Sequence, residues 1–166
     1  GQHLLWRNEG NGHFTNVADS AGLRAEPAGQ SAAWGDFDND GWLDLHLASP
    51  GPNRQIMRNL GNGTFSDFSQ AAGVPALPFA KASVCGDLDH DGDAEIYVVN
   101  QNQPNGLYQN LGRGNNWLVI KLEGRRSNRA AIGSRVRLRA GELVLWREVS
   151  GGSGFRSQES LALEVG

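Results

Sequence analysis

The sequence predicts an all-β protein: tandem, blade-like units of short strands followed by a smaller β-rich segment. Three observations carry that expectation. The 166 residues include 23 Gly and 6 Pro, so Gly is about twice its usual share of roughly 7 %, and frequent turns leave only short strands between them. The chain matches itself without a gap when displaced by 51 residues, so that Gly35-Asp36-Phe37-Asp38 falls on Gly86-Asp87-Leu88-Asp89. Each copy carries an Asp-rich loop that leads into an apolar run alternating with polar residues.

Taken in order, Asn8-Glu9-Gly10-Asn11-Gly12 and its copy Asn59-Leu60-Gly61-Asn62-Gly63 read as hairpin turns, because Asn and Gly tolerate positive φ. Thr15 to Leu23 can hold a short helical turn. Leu43, Leu45 and Leu47 alternate with Asp44 and His46, which predicts a half-buried strand; Ala94, Ile96 and Val98 do the same around Glu95 and Tyr97. A third copy opens at Tyr108-Gln109-Asn110-Leu111-Gly112 and then diverges. A unit of roughly 40–50 residues with three or four short strands has the size of a β-propeller blade. Residues 1–114 are therefore expected to form a partial propeller of about two blades. Such rings close with about 4–8 blades, so two units alone would leave strand edges exposed. The chain opens inside a repeat at Gly1-Gln2-His3, and a segment of a longer protein is expected.

From Asn116 the repeat stops, and residues 115–166 are expected to form a small β-rich domain. Trp117–Leu122 reads as a strand. Arg135–Arg139 and Leu143–Arg147 read as a hairpin about Ala140-Gly141. The run Gly151–Gly154 reads as a tight loop, since no Lys-Ser/Thr pair follows it as in a phosphate-binding loop.

The acidic residues point to a cation. Nine of the 18 lie in two windows, 36–44 and 87–95, against a background that is mildly basic although the whole chain carries a net charge of −3. Asp36, Asp38 and Asp40 stand at positions 1, 3 and 5 of the first loop; Asp87, Asp89 and Asp91 stand at those of the second. Carboxylates so spaced converge when the chain coils tightly, and Gly41 and Gly92 at position 6 permit the turn. The position-7 carbonyls of Trp42 and Asp93 can add an oxygen, and Asp44 and Glu95 at position 9 can close the shell. Two calcium ions are expected, calcium being a hard cation that takes 6–8 oxygens. An EF-hand would place Glu at position 12 between helices, whereas Leu47 and Val98 stand there and the flanks alternate like strands.

The stretch Gly35–Leu45 resembles the FG-GAP/VCBS repeat of integrin-α-like β-propellers, whose calcium loop joins two strands of a blade. The resemblance covers about residues 1–114 and implies Asp36, Asp38, Asp40 and Asp44 around one ion and Asp87, Asp89, Asp91 and Glu95 around the other; Glu95 departs from the usual Asp. Asn116-Trp117-Leu118, Ser127–Val136 and Arg147–Gln158 are similar to the ASPIC/UnbV domain, which follows FG-GAP repeats in cartilage acidic protein-like proteins and in many exported bacterial ones. Together these imply an extracellular, cell-surface or periplasmic protein. Its expected role is interaction or adhesion with a protein, matrix or glycan partner, with calcium structural. Two alternatives stand beside it: an accessory part of an exported enzyme or natural-product biosynthetic protein, and a carbohydrate-binding module.

Other classes find less support. The negative net charge argues against nucleic acid, and no apolar run is long enough for a membrane-spanning helix. Cys85 is the only cysteine, so no disulfide framework exists. His3, His13, His46 and His90 are scattered, no Ser lies in a nucleophile-elbow pattern, and Cys85 reads as a small buried hydrophobe; no enzyme is expected. Trp34, Trp42, Trp117 and Trp146 are expected in the core or covering loops. Arg125, Arg126, Arg129, Arg135, Arg137 and Arg139 form a basic cluster, of which 135, 137 and 139 share one face of a strand, a solvated basic face or a binding surface for an acidic glycan or partner.

Overall fold

A computed structural model describes residues 3–23, 29–48, 55–74, 80–112, 114–126, 128–152 and 160–166. All regular structure there is β, in thirteen strands, as the sequence predicts. Hairpin β1 (Trp6–Gly10) and β2 (His13–Asn16) comes first. A four-stranded antiparallel sheet follows, in the order β3 (Ser31–Gly35), β4 (Asp44–Ala48), β5 (Gln55–Asn59), β6 (Phe65–Asp67). The next sheet is β7 (Ala80–Gly86), β8 (Glu95–Asn100), β9 (Gly106–Tyr108).

The repeat is legible in three dimensions. Displacing β5 by 51 residues places Gln55–Met57 on Gly106–Tyr108, which is β9. The hairpin β1–β2 stands in the same way to β5–β6 and turns at Asn11 and Gly12, whose φ values of 51° and 77° suit the twist of antiparallel strands. A single helical turn follows β2: Ala21 N donates to Val17 O at 2.7 Å, and its copy, Ala72 N to Phe68 O, spans 2.9 Å. Gly22 and Gly73, at φ 81° and 68°, end the two turns.

Packing corrects one expectation. Strand β4 is buried at all five residues rather than on one face. Its sheet lies between two neighbours, so each face meets a core. Leu45, Leu47 and Met57 pack with Leu5, Ala18 and Leu23 of the preceding unit. On the other face Ala33, Ala48 and Ile56 pack with Ala80, Cys85, Ile96 and Val98 of the next. His46, fully buried, shares that second side of the strand with Ala48. A strand alternating apolar and polar residues is half-buried only when one of its faces meets water.

The C-terminal strands form two small antiparallel sheets. One pairs β10 (Leu118–Ile120) with β13 (Leu163–Val165); the other is the hairpin β11 (Arg135–Ala140) and β12 (Leu143–Glu148). Ser153 and Gly154 of the run 151–154 lie outside the described residues, as does Ser127. Among the described residues no helix is long and apolar enough to cross a membrane.

Candidate metal centre

Each Asp-rich loop joins the first two strands of its sheet, β3 to β4 and β7 to β8. Position 4 is left-handed in both, Asn39 at φ 53° and His90 at φ 65°, and position 6 is Gly at φ 89° and 92°. This backbone turns the side chains inward. Carboxylate oxygens of Asp36, Asp38 and Asp40 lie within 4.8 Å of one another, as do those of Asp87, Asp89 and Glu95. Two oxygens on opposite sides of a calcium ion, each at about 2.4 Å, stand about that far apart. In the second loop Asp87 Oδ1 is buried without a hydrogen-bond partner. An all-oxygen, anionic donor set of this size fits a hard divalent cation.

Of the sequence-predicted carboxylates, Asp44, Asp91 and Asp93 stand outside these two clusters, while Asp40 and Glu95 make further bonds from within them. Asp44 closes the first loop through the backbone: its carboxylate accepts from Phe37 N at 3.1 Å and Asn59 N at 2.8 Å. Glu95, one methylene longer, makes the matching bonds to Leu88 N (2.8 Å) and Asn110 N (3.4 Å) and also reaches its cluster. Asp40 and Asp91 accept from the position-7 amides of Trp42 and Asp93 at 2.9 and 3.0 Å. Asp93 turns its side chain to the first loop, where Asn39 Nδ2 donates to it at 2.7 Å and to Gly92 O at 3.2 Å. The two loops therefore touch at one end of the sheets.

Burial dominates their electrostatics. It pushes the Asp44 carboxyl up to about 7, with Asp38 and Asp36 adding repulsion. Asp36, Asp93 and Glu95 are raised for the same leading reason. Charge crowded into a dry loop favours protonation or a cation.

Several participants escaped the sequence reading. Arg58 pairs with Asp38 and Asp40, while Gln109, its copy, donates to Asp89 at 2.9 Å. The C-terminal segment lies over both loops. Arg147 Nη2 donates to Gly41 O at 2.8 Å, Asn115 Nδ2 to Asp38 O at 2.8 Å, and Glu164 accepts from Asp87 N at 3.2 Å. A Cβ on Gly41 would lie 2.9 Å from Leu145 Cδ1, and one on Gly92 would run into the Trp117 ring. Only the spacing of 51 marked Arg58 and Gln109, and nothing local marked Arg147 or Glu164. Trp117 and Trp42 cover loops and Trp34 packs with the core, as expected; Trp146, 62 % exposed, does neither, because it lies on the outer face of its hairpin.

Tandem antiparallel sheets, each closed at one end by an Asp-rich loop, define a blade-repeat protein. The chain belongs to the FG-GAP-like repeat family, whose model matches residues 1–47 and 36–98, and the ASPIC and UnbV model matches residues 124–166. Both resemblances drawn from the motifs are thereby borne out. The chain is 29 % identical to Cartilage acidic protein 1 of Mus musculus and 30 % identical to that of Xenopus tropicalis, each over 104 residues. Those matches cover 60 % of this chain but 16 % of each relative.

Proposed function

We propose that the chain is a calcium-stabilised, non-catalytic part of an extracellular interaction protein. The convergence of three carboxylates in each repeated loop, within 4.8 Å, is the observation that carries this reading. Calcium would link the first two strands of each sheet and, through the Asn39–Asp93 contact, one sheet to the next. The family and the cartilage acidic protein relatives support a secreted setting and a protein or matrix partner.

Calcium that binds only the folded chain adds about 2.7 kcal/mol at a hundredfold excess over Kd. Thermal unfolding in chelator and in millimolar calcium tests this. The melting temperature rises with calcium in the native protein, and Asp89→Asn blunts the rise. A melting temperature indifferent to calcium removes the reading.

A second surface supports binding of an acidic glycan. Arg135, Arg137 and Arg139 are exposed on one face of β11, and the Arg137 guanidinium lies 5.9 Å from the Trp146 ring centroid. Retention on a heparin column that falls with Arg137→Glu supports this reading; retention unchanged by the substitution removes it.

A further inference from the structure

The two acidic loops are copies in sequence, yet their surroundings carry opposite charge. Arg58 and Gln109 occupy the same repeat position. Arg58 sets its guanidinium against two of the three clustered carboxylates of the first loop, pairing with Asp38 and lying 3.3 Å from Asp40. Gln109 offers the second loop only a neutral amide, 2.9 Å from Asp89. The C-terminal segment deepens the difference. Arg147 brings a second cation to the first loop, 3.7 Å from Asp36. Glu164 instead brings an added carboxylate to the second, where it accepts from the Asp87 amide at 3.2 Å. Two guanidinium groups thus face the three clustered carboxylates of the first loop, while a further carboxylate joins the three of the second.

Resting on the calcium reading above, the geometry points to a division of labour: the second loop is the tight divalent-cation site, and the first is a weak site whose carboxylates Arg58 and Arg147 already neutralise. Affinity in such loops follows the charge count of the ligands and the rigidity of the site. An ion entering the first loop must displace the Arg58 guanidinium from Asp38 and Asp40. Arg58 is 34 % exposed and can swing into water; Arg147, 9 % exposed, stays beside Asp36 and keeps a positive charge next to the ion. The second loop meets no such competitor at its Gln109 position.

Calorimetric titration of the intact protein with calcium chloride tests this. The native protein shows a tight event and a second one at least tenfold weaker, and Asp89→Asn removes the tight one. Arg58→Gln, which installs the residue of the second loop, strengthens the weak event tenfold or more and leaves the tight event in place, which also shows that the variant is folded. The reciprocal change at an exposed position, Gln109→Arg, weakens the tight event at least tenfold. Two events of equal affinity, or affinities that move in neither exchange, overturn the division of labour while leaving the calcium reading standing. Absence of any calcium heat, with a melting temperature indifferent to calcium, removes both.

Discussion

At the scale of single residues, the most informative side chain is an Asn that recurs every 51 positions. Asn8, Asn59 and Asn110 each accept from the amide two residues on, at 2.9, 3.0 and 3.1 Å, and so start the following turn. In the two later copies the amide group also reaches back: Asn59 Nδ2 donates to Leu43 O at 2.9 Å and Asn110 Nδ2 to the matching Ala94 O at 3.3 Å, with a second bond from Asn110 Nδ2 to Phe37 O of the first loop at 2.8 Å. The residue pins the strand after the loop to the loop itself. The turn is legible in the sequence, because Asn-x-Gly is a local signal, but the reach back is not, because its acceptors are carbonyls that every residue possesses. Replacing Asn59 by Ala removes both roles from a partly buried site. Chemical denaturation is expected to show a loss of about 1–3 kcal/mol, and Asn59→Asp, which keeps the acceptor alone, a smaller one. The acidic residues add a pH effect. Asp44 titrates near 7 in the folded chain, well above an ordinary Asp, so the folded state holds a proton that the unfolded state releases. Its contribution is present below about pH 4 and is lost as pH rises through 7. In chelator the melting temperature is therefore expected to fall between pH 5.5 and 8, and Asp44→Asn flattens that slope.

At the scale of elements, the loop is built around a glycine that cannot be replaced. Gly92 holds φ at 92° and lies under the Trp117 ring, where a Cβ would collide. Two penalties then act on Gly92→Ala: backbone strain of about 1–3 kcal/mol, and displacement of a rigid indole. Only the second vanishes when Trp117 is also Ala. A double-mutant cycle by thermal unfolding is expected to show clear coupling between the two positions; additive losses would mean that the ring moves aside freely. The loop and its Gly were legible from spacing alone, since positions 1, 3, 5 and 6 are a local code. Trp117 over Gly92 was not, because the segment from Asn116 onward carries no repeat from which its docking partner could be inferred. Strand β4 shows a third case. Its alternation marks a strand but not how deeply it is buried, since burial depends on the neighbouring sheet and not on the strand.

At the scale of the whole molecule, the C-terminal segment ties both loops to residues far along the chain. Gly166 N donates to Asp36 Oδ2 at 3.3 Å, spanning 130 positions, and Glu164 meets Asp87 across 77. Glu164 lies in β13 and Gly166 directly follows it, and β13 pairs in antiparallel register with β10. An ion that draws the carboxylates of a loop together fixes the loop backbone, and the strands bonded to that backbone then open less often. Local opening sets amide exchange, so the effect is expected to travel along these bonds and not with sequence distance. Hydrogen exchange followed by mass spectrometry should show calcium slowing exchange in 36–44 and 87–95. It should also slow exchange at Leu163–Val165, which holds no residue of either clustered carboxylate group. The hairpin β1–β2, exposed throughout and bonded to neither loop, serves as the internal reference and is expected to exchange at the same rate with and without calcium. Protection confined to the two loops would show that the C-terminal sheets rest on them without sharing their stability. Protection extending to Leu163–Val165 would show that the repeats and the segment after them fold as one cooperative unit around the ion.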